Sequence, residues 1–306
     1  MHEYEVLAAD IGDPELVGYF YLNRGAAAVL DKLDSLKVEL TPSQEDVPFN
    51  AQVKGYLGAI DDDSHMWIIK PAVDPKEILY HRICALAYLL DHETGTLAAP
   101  TTVFRIGKKT WRASKVVKSA MQISSYNYME RPYLDIFRAD LVNRWLYFDE
   151  DRNPNNYLVI HNTANKPFVC AIDYDKADLL AETMKITGNT EKFGWHRTEK
   201  TRFLTLLRPE NFDGVSIDVF EKRLSAFTTV PDALIAELAR RLVEGYTEDP
   251  IGVANKVAAN VIRRRAYIDE YFRRMFKSAS ETKDVGNDDE YSMLGKSFLA
   301  MYNDKK

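Results

Sequence analysis

The chain has 306 residues, 46% of them hydrophobic, with 40 Lys and Arg against 46 Asp and Glu for a net charge of −6. That length buries a sizeable core and suits two lobes better than one, the acidic balance excludes a surface built chiefly for nucleic acid or anionic membrane, and two cysteines, Cys84 and Cys170, both in apolar runs, exclude a disulfide framework or a zinc set. The first residues, acidic at Glu3, Glu5 and Asp10, lack the basic head and apolar stretch of a secretory signal, and no window approaches the ~18 uninterrupted apolar residues of a membrane span, so a cytoplasmic location is expected.

Apolar Leu16, Val17, Phe20, Ala26, Val29, Leu30 and Leu33 recur at helical spacing and predict one amphipathic helix over 14–36. Turn residues over 41–50 lead to a hairpin: a strand over 53–60, an acidic turn at Asp61, Asp62, Asp63 and Ser64, and a strand over 66–70 ending on Lys70 before Pro71. Asp74, Pro75 and Glu77 open a helix reaching residue 91 by an Asp cap, a first-turn proline and a glutamate that completes a capping box. Strands over 100–106 and 111–117 follow, joined at Gly107, Lys108 and Lys109. The first 120 residues therefore read as a small sheet with one inserted helix.

Beyond Met121 the pattern is mostly helical. A helix over 133–148, apolar at Leu134, Phe137, Leu141, Trp145 and Leu146, delivers the chain into the loop Asp151-Arg152-Asn153-Pro154-Asn155-Asn156. Strands over 157–160 and 168–172, joined by polar residues 162–166, form an antiparallel hairpin that ends at Asp173. Helices are predicted over 177–184, 198–207, 216–227, 232–246 and 252–276, the last behind the cap Asp249 and Pro250. Arg263, Arg264 and Arg265, with Arg273 and Arg274, read as a solvated face pairing with Asp269 and Glu270. Residues 278–289 form a polar linker, and 291–302 an amphipathic tail suited to docking a partner protein.

Paired strands lie about 4.8 Å apart, so Asn156, before the first strand of that hairpin, and Asp173, after the second, can converge on one point as a hard cation requires. Asp151 stands at its rim, and a base, a carboxamide and a carboxylate in this order are the parts of a phosphoryl-transfer site. The same residue types also make ordinary polar turns and helix caps, which is the other reading of the loop and of Asp173. Lys70, at a strand end, can reach phosphate oxygens or simply solvent. Glu77 can clamp Lys70 by an ion pair, or serve only the capping box. Gly55 and Gly58 fit no phosphate-loop spacing, leaving the backbone amides of 49–52 as the substitute. The six histidines, His2, His65, His81, His92, His161 and His196, form no ligand spacing and argue against a zinc or serine hydrolase.

The joint order of Lys70, Glu77, Asp151, Asn156 and Asp173 resembles the protein-kinase-like superfamily, and the local wording resembles its HipA-like branch. Trp67-Ile68-Ile69-Lys70-Pro71 looks like that branch's lysine strand, and Glu77-Ile78-Leu79-Tyr80-His81-Arg82-Ile83 like the start of its glutamate helix. The most specific part is Asp151 to Val159 together with Ala171-Ile172-Asp173-Tyr174-Asp175. Similarity to phosphoinositide kinases is weaker, because the histidine they usually place after Asp-Arg is Asn153 here.

The resemblance, over residues 53–276, implies an α+β, bilobal protein-kinase-like fold. Its parts are a helical extension over 1–50, a β-rich N-lobe with one helix over 51–121, a mostly helical C-lobe over 122–277, and the linker and tail over 278–306. It further implies an ATP- and Mg2+-dependent kinase with a protein Ser/Thr hydroxyl as acceptor. In that scheme Lys70 binds the nucleotide phosphates, Glu77 orients Lys70, Asp151 is the catalytic base, Asn156 and Asp173 hold magnesium, and the adenine lies along 117–122, with Val117 and Met121 as contacts. Transfer of AMP by the same fold, and a nucleotide-regulated or inactive interaction module, are the alternatives. The missing glycine loop is the main departure from the pattern.

Overall fold

The computed structural model describes residues 1–41, 47–48, 51–52, 54–128, 130–149, 154–181 and 218–281. Asp151, the helix expected over 198–207 and the tail over 291–302 lie outside the described residues. The α+β class expected from the sequence is observed: a five-stranded antiparallel sheet with one long helix inserted, then a small sheet and a set of helices.

Three short helices open the chain: α1 (Glu3–Ile11), α2 (Pro14–Tyr19) and α3 (Ala26–Ser35). The single helix expected over 14–36 is two, because the backbone turns left-handed at Tyr21 (φ 59°) and is extended at Gly25, the N-cap of α3. α1 is an addition to the expected elements, although its boundary is written in the chain. Gly12 (φ 61°) caps α1 in the left-handed region, and the Asp13 carboxylate accepts from the Glu15 and Leu16 amides behind Pro14.

The larger sheet has strand order β1 (Val38–Leu40), β2 (Leu57–Asp61), β3 (Met66–Ala72), β5 (Lys109–Lys115), β4 (Thr101–Ile106), all antiparallel. Edge strand β1 thus comes from the first 50 residues. Between β2 and β3 the buried Asp61 carboxylate accepts from the amides of Asp63 (3.0 Å) and His65 (2.8 Å) and from Trp67 Nε1 (2.8 Å), which turns the chain. Pro71 is tolerated inside β3 because β2 ends opposite Ile69, so the missing amide costs no ladder bond on that side. Helix α4 (Pro75–Glu93) begins at its Asp cap and first-turn proline, with the Asp74 carboxylate accepting from the Lys76 amide at 2.7 Å. The expected capping box does not close, since Glu77 accepts from the Val73 amide and not from that of Asp74.

Past residue 121 the chain forms β6 (Met121–Gln122), α5 (Tyr133–Leu146), β7 (Tyr157–His161) and β8 (Pro167–Ala171), then α6 (Asp218–Thr229), α7 (Asp232–Val243) and α8 (Pro250–Glu281). The expected hairpin is β7–β8, in the register Tyr157↔Ala171, and β6 is an additional third strand on β7. Residues 177–181 are irregular, with a bend at 179–180, rather than the start of a helix. The arginine run also departs from a wholly solvated face. Arg264 is buried, donates to the carbonyls of Leu146 (3.3 Å) and Asp178 (2.9 Å), and stacks on the Phe148 ring, while Arg265 donates to Val230 O at 2.7 Å and pairs with Asp232. One apolar core joins the sheet residues Trp67, Ile69 and Ala113 to Leu86 and Tyr88 of α4 and to Leu224 and Leu238 of the C-terminal helices. No helix among the described residues is long and apolar enough to cross a membrane.

The C-terminal turn of α4 fastens the N-terminal helices: the Glu93 carboxylate accepts from the Ala26 amide at 2.8 Å, and His92 Nε2 donates to Arg24 O at 2.8 Å. Burial pushes the His92 pKa down to about 4 from an ordinary 6.5. Between those two values the unfolded chain binds a proton that the folded chain refuses, so stability present above pH 6.5 is lost as pH falls towards 4. The loss from this group is about 3 kcal/mol. Urea unfolding at pH 7 and pH 4.5 is expected to show a markedly smaller acid loss in His92→Gln than in the unsubstituted chain; equal losses would contradict it.

Candidate active site

Four elements meet around Lys70. It stands near the end of β3 directly opposite Arg112 of β5, so the two side chains share one face of the sheet. The Asp175 carboxylate, from the segment that follows β8, lies 3.7 Å from Lys70 Nζ and forms a close ion pair with Arg112 Nη1. Arg112 Nη2 is 3.9 Å from Asp173 Oδ1. Tyr80, on α4, donates its hydroxyl to the Asp175 backbone carbonyl at 3.1 Å, and the Tyr56 ring lies 3.9 Å from Lys70 Nζ. The two cations are held half out of water, and burial first and the Arg112 guanidinium second hold the Lys70 ammonium below its usual pKa. Burial also lowers the Arg112 value, opposed first by Asp173.

The hairpin does what its sequence promises for the backbone. Beyond the register pair Tyr157↔Ala171, the Ile172 amide donates to Asn156 O at 3.0 Å, which sets Asn156 beside the residue preceding Asp173. Asp173 then adopts φ 59°, a conformation that Asp and Asn enter more readily than most residues. Asn156 is buried, and Asp173 keeps part of its surface open. These are the residue types and places that could hold a divalent cation with oxygen ligands. A second group of candidate ligands, Asp61, Asp63 and His65, has atoms within 4.8 Å of one another. Asp61 is already committed to the turn, and Lys32 pairs with Asp63 at 2.7 Å, so this group is an organised hairpin tip.

Glu77 forms no ion pair with Lys70. Its carboxylate lies 3.7 Å from His81 Nε2 and accepts from the Val73 amide at 3.4 Å, while the acid beside Lys70 is Asp175. Burial and Arg112, against the pull of Glu77, push His81 down to about 4, so its ring is neutral at pH 7. Val117 lies in the connection between β5 and β6, packed on the apolar cluster of Leu97, Ile160 and Cys170. Met121 is 53% exposed, its sulfur facing the Tyr126 hydroxyl at 3.7 Å, and it pairs with Val159. The connection between the two sheets therefore runs over the same hairpin that carries Asn156. Of the amides at 49–52, the described ones are Ala51 and Gln52, and they donate to Pro48 O at 2.8 and 3.0 Å. The connection from β1 to β2 ends at Tyr56, over Lys70.

A buried polar network supports these segments from behind. Asp91 of α4, wholly buried, accepts from Asn143 Nδ2 (2.7 Å), the Tyr147 hydroxyl (2.6 Å) and the Tyr174 hydroxyl (2.5 Å). Arg144, also buried, donates Nε to Asp140 (2.9 Å) and Nη1 to Asp149 (3.5 Å), with Nη2 4.0 Å from Asp91. The Tyr157 hydroxyl donates to Asp140 at 2.5 Å. Tyr157 follows Asn156 and Tyr174 follows Asp173, so one network grips the backbone next to both of these residues. Helical periodicity alone could not reveal it, because it does not pair charges that lie on different elements. A cavity of about 460 Å³ lies elsewhere, between α1, the turn after α4 and α6, lined by Leu7, Thr94, Asp218, Lys222 and Arg223. Arg223 is already engaged there with Thr94 O at 3.1 Å.

No protein-family model and no curated protein matches the sequence. Among solved structures the chain is similar to the Helicobacter pylori proinflammatory kinase CtkA, at 10% identity and a TM-score of 0.47, over 72% of this chain and 91% of that one. It is also similar to the MAP kinase LmaMPK10 from Leishmania major, at 12% identity and a TM-score of 0.24, over 91% of this chain and 98% of that one.

Proposed function

We propose that the chain is an ATP- and magnesium-dependent phosphotransferase of the HipA-like type acting on a protein Ser/Thr hydroxyl. The observation that carries this reading is the meeting of Lys70 with the Asp173-Tyr174-Asp175 segment, at the end of the hairpin whose other end is Asn156. In this reading Lys70 binds the nucleotide phosphates as a point charge. Asn156 and Asp173 hold magnesium, which supplies the charge that neutralises the transferring phosphoryl group. Asp151 takes the acceptor's proton, and the adenine lies along the connection that carries Val117 and Met121. Glu77 orients Lys70 in this reading by leaving its contacts with His81 and the Val73 amide.

Incubation with a protein mixture and ATP labelled separately in the α and γ phosphates is the test. Label reaching the acceptor from the γ position alone supports phosphoryl transfer; label from the α position alone makes the reaction AMP transfer and overturns the assignment. One observation favours a second reading, a nucleotide-regulated interaction module: the single carboxylate of Asp175 occupies both cations. Neither label is then transferred. Melting scans separate a regulated module from an inert one, because a ligand at a hundred times its dissociation constant adds about 2.7 kcal/mol of stability.

A further inference from the structure

Lys70 and Arg112 are register partners on adjacent strands, and two like charges so placed repel unless an anion lies between them. Asp175 is that anion, touching both. Its backbone is tied down by the Tyr80 hydroxyl, so the carboxylate can leave by rotation of its side chain alone. All three groups keep part of their surface exposed, 24% of the side chain for Lys70, 12% for Arg112 and 20% for Asp175. A guanidinium offers a planar fork that fits two phosphate oxygens, where an ammonium offers one point charge.

We propose that Arg112 is a second phosphate-binding cation of this site, and that Asp175 is an internal counter-ion which the phosphates of a nucleotide displace. The inference rests on the reading of the site as a nucleotide site. It gives the chain a way to grip a polyphosphate without a glycine-rich loop: two cations on a rigid sheet, with the Tyr56 ring against one of them. It also makes the unliganded site self-blocked, since one carboxylate must leave both cations before a phosphate can enter.

The probes are ATP with magnesium, and inorganic tripolyphosphate without magnesium, titrated into the full chain and its variants in a calorimeter. Arg112→Gln is expected to weaken tripolyphosphate binding about tenfold or more, with Arg112→Lys recovering part of the loss. Asp175→Asn is expected to tighten it severalfold, because the carboxylate shared by both cations is gone, leaving only Asp173 near Arg112, while the Tyr80 bond to the backbone carbonyl remains. Unchanged affinity in Arg112→Gln overturns the role of Arg112. Unchanged or weaker affinity in Asp175→Asn overturns the displacement, and that variant carries the test if Arg112→Gln fails to fold. If the unsubstituted chain binds ATP with magnesium but the variants behave like it, this inference alone fails. If the unsubstituted chain binds neither probe, the nucleotide reading fails and the inference goes with it.

Discussion

Replacing Asp173 with asparagine is expected to reduce magnesium-dependent phosphoryl transfer on the order of a hundredfold to a thousandfold, the scale on which removal of one preorganised electrostatic group is felt. Asparagine is the chosen substitution because the backbone at this position has φ 59°, which Asn adopts nearly as readily as Asp. Alanine would add backbone strain of about 1 to 2 kcal/mol and confuse the loss of charge with a change of shape. The charge itself is the point. Arg112 lies 3.9 Å from Asp173 Oδ1, and under the proposed function a divalent cation would take over the neutralising role that the guanidinium partly fills. Single-turnover assays across a magnesium titration would separate the two effects. A variant that regains its rate at high magnesium has lost metal affinity, one that stays slow has lost the catalytic arrangement, and full activity at all magnesium concentrations would falsify the metal role of Asp173.

The second large effect is expected away from the open cleft. Asp91→Ala removes the acceptor of three buried hydrogen bonds, from Asn143, Tyr147 and Tyr174, and one of the carboxylates around Arg144. Breaking a buried charge network by deleting one partner costs about 3 to 5 kcal/mol, because the charge left behind cannot recover its hydration. Much of a marginal domain stability is of that size, so Asp91→Ala should unfold at far lower urea concentration. Asp91→Asn, which keeps an acceptor oxygen and a similar volume, should lose clearly less. Burial first, with Asp140 beside it, raises the Asp91 pKa above its ordinary value, against the pull of Arg144 and of the Tyr147 and Tyr174 hydroxyls. Equal midpoints for the unsubstituted chain and Asp91→Ala would sink the idea that this network carries stability.

The network also has a functional corollary. Tyr174, held by Asp91, is bonded in sequence to both Asp173 and Asp175, and Tyr157, held by Asp140, sits next to Asn156. Each tyrosine hydroxyl thus fixes the backbone on which a neighbouring polar side chain is mounted. A site placed within a fraction of an ångström needs such support, because misplacement of reacting groups costs rate steeply.

The elements that the chain announces locally are the ones whose signals are chemical and short-range. The Asp74-Pro75 start of α4, the turn at Asp61 and the β7–β8 hairpin all form where residue type and alternation place them. Sequence order likewise singles out Lys70, Asn156 and Asp173 as candidates, and the hairpin sets the backbones of the last two side by side, since only thirteen residues lie between the facing positions Tyr157 and Ala171 and a ladder has one register. The division of 14–36 into two helices and the lack of a helix at 177–181 were beyond periodicity, because apolar spacing continues across a turn that packing imposes. What only the tertiary structure decided is which charge meets which. Glu77 faces His81, and Asp175 takes the place beside Lys70 and Arg112, a choice set by the register of β3 on β5 across some forty residues and by how α4 docks on the hairpin. Side chains that distant in sequence have no local preference for one another; burial in a common low-dielectric interior is what selects their partners.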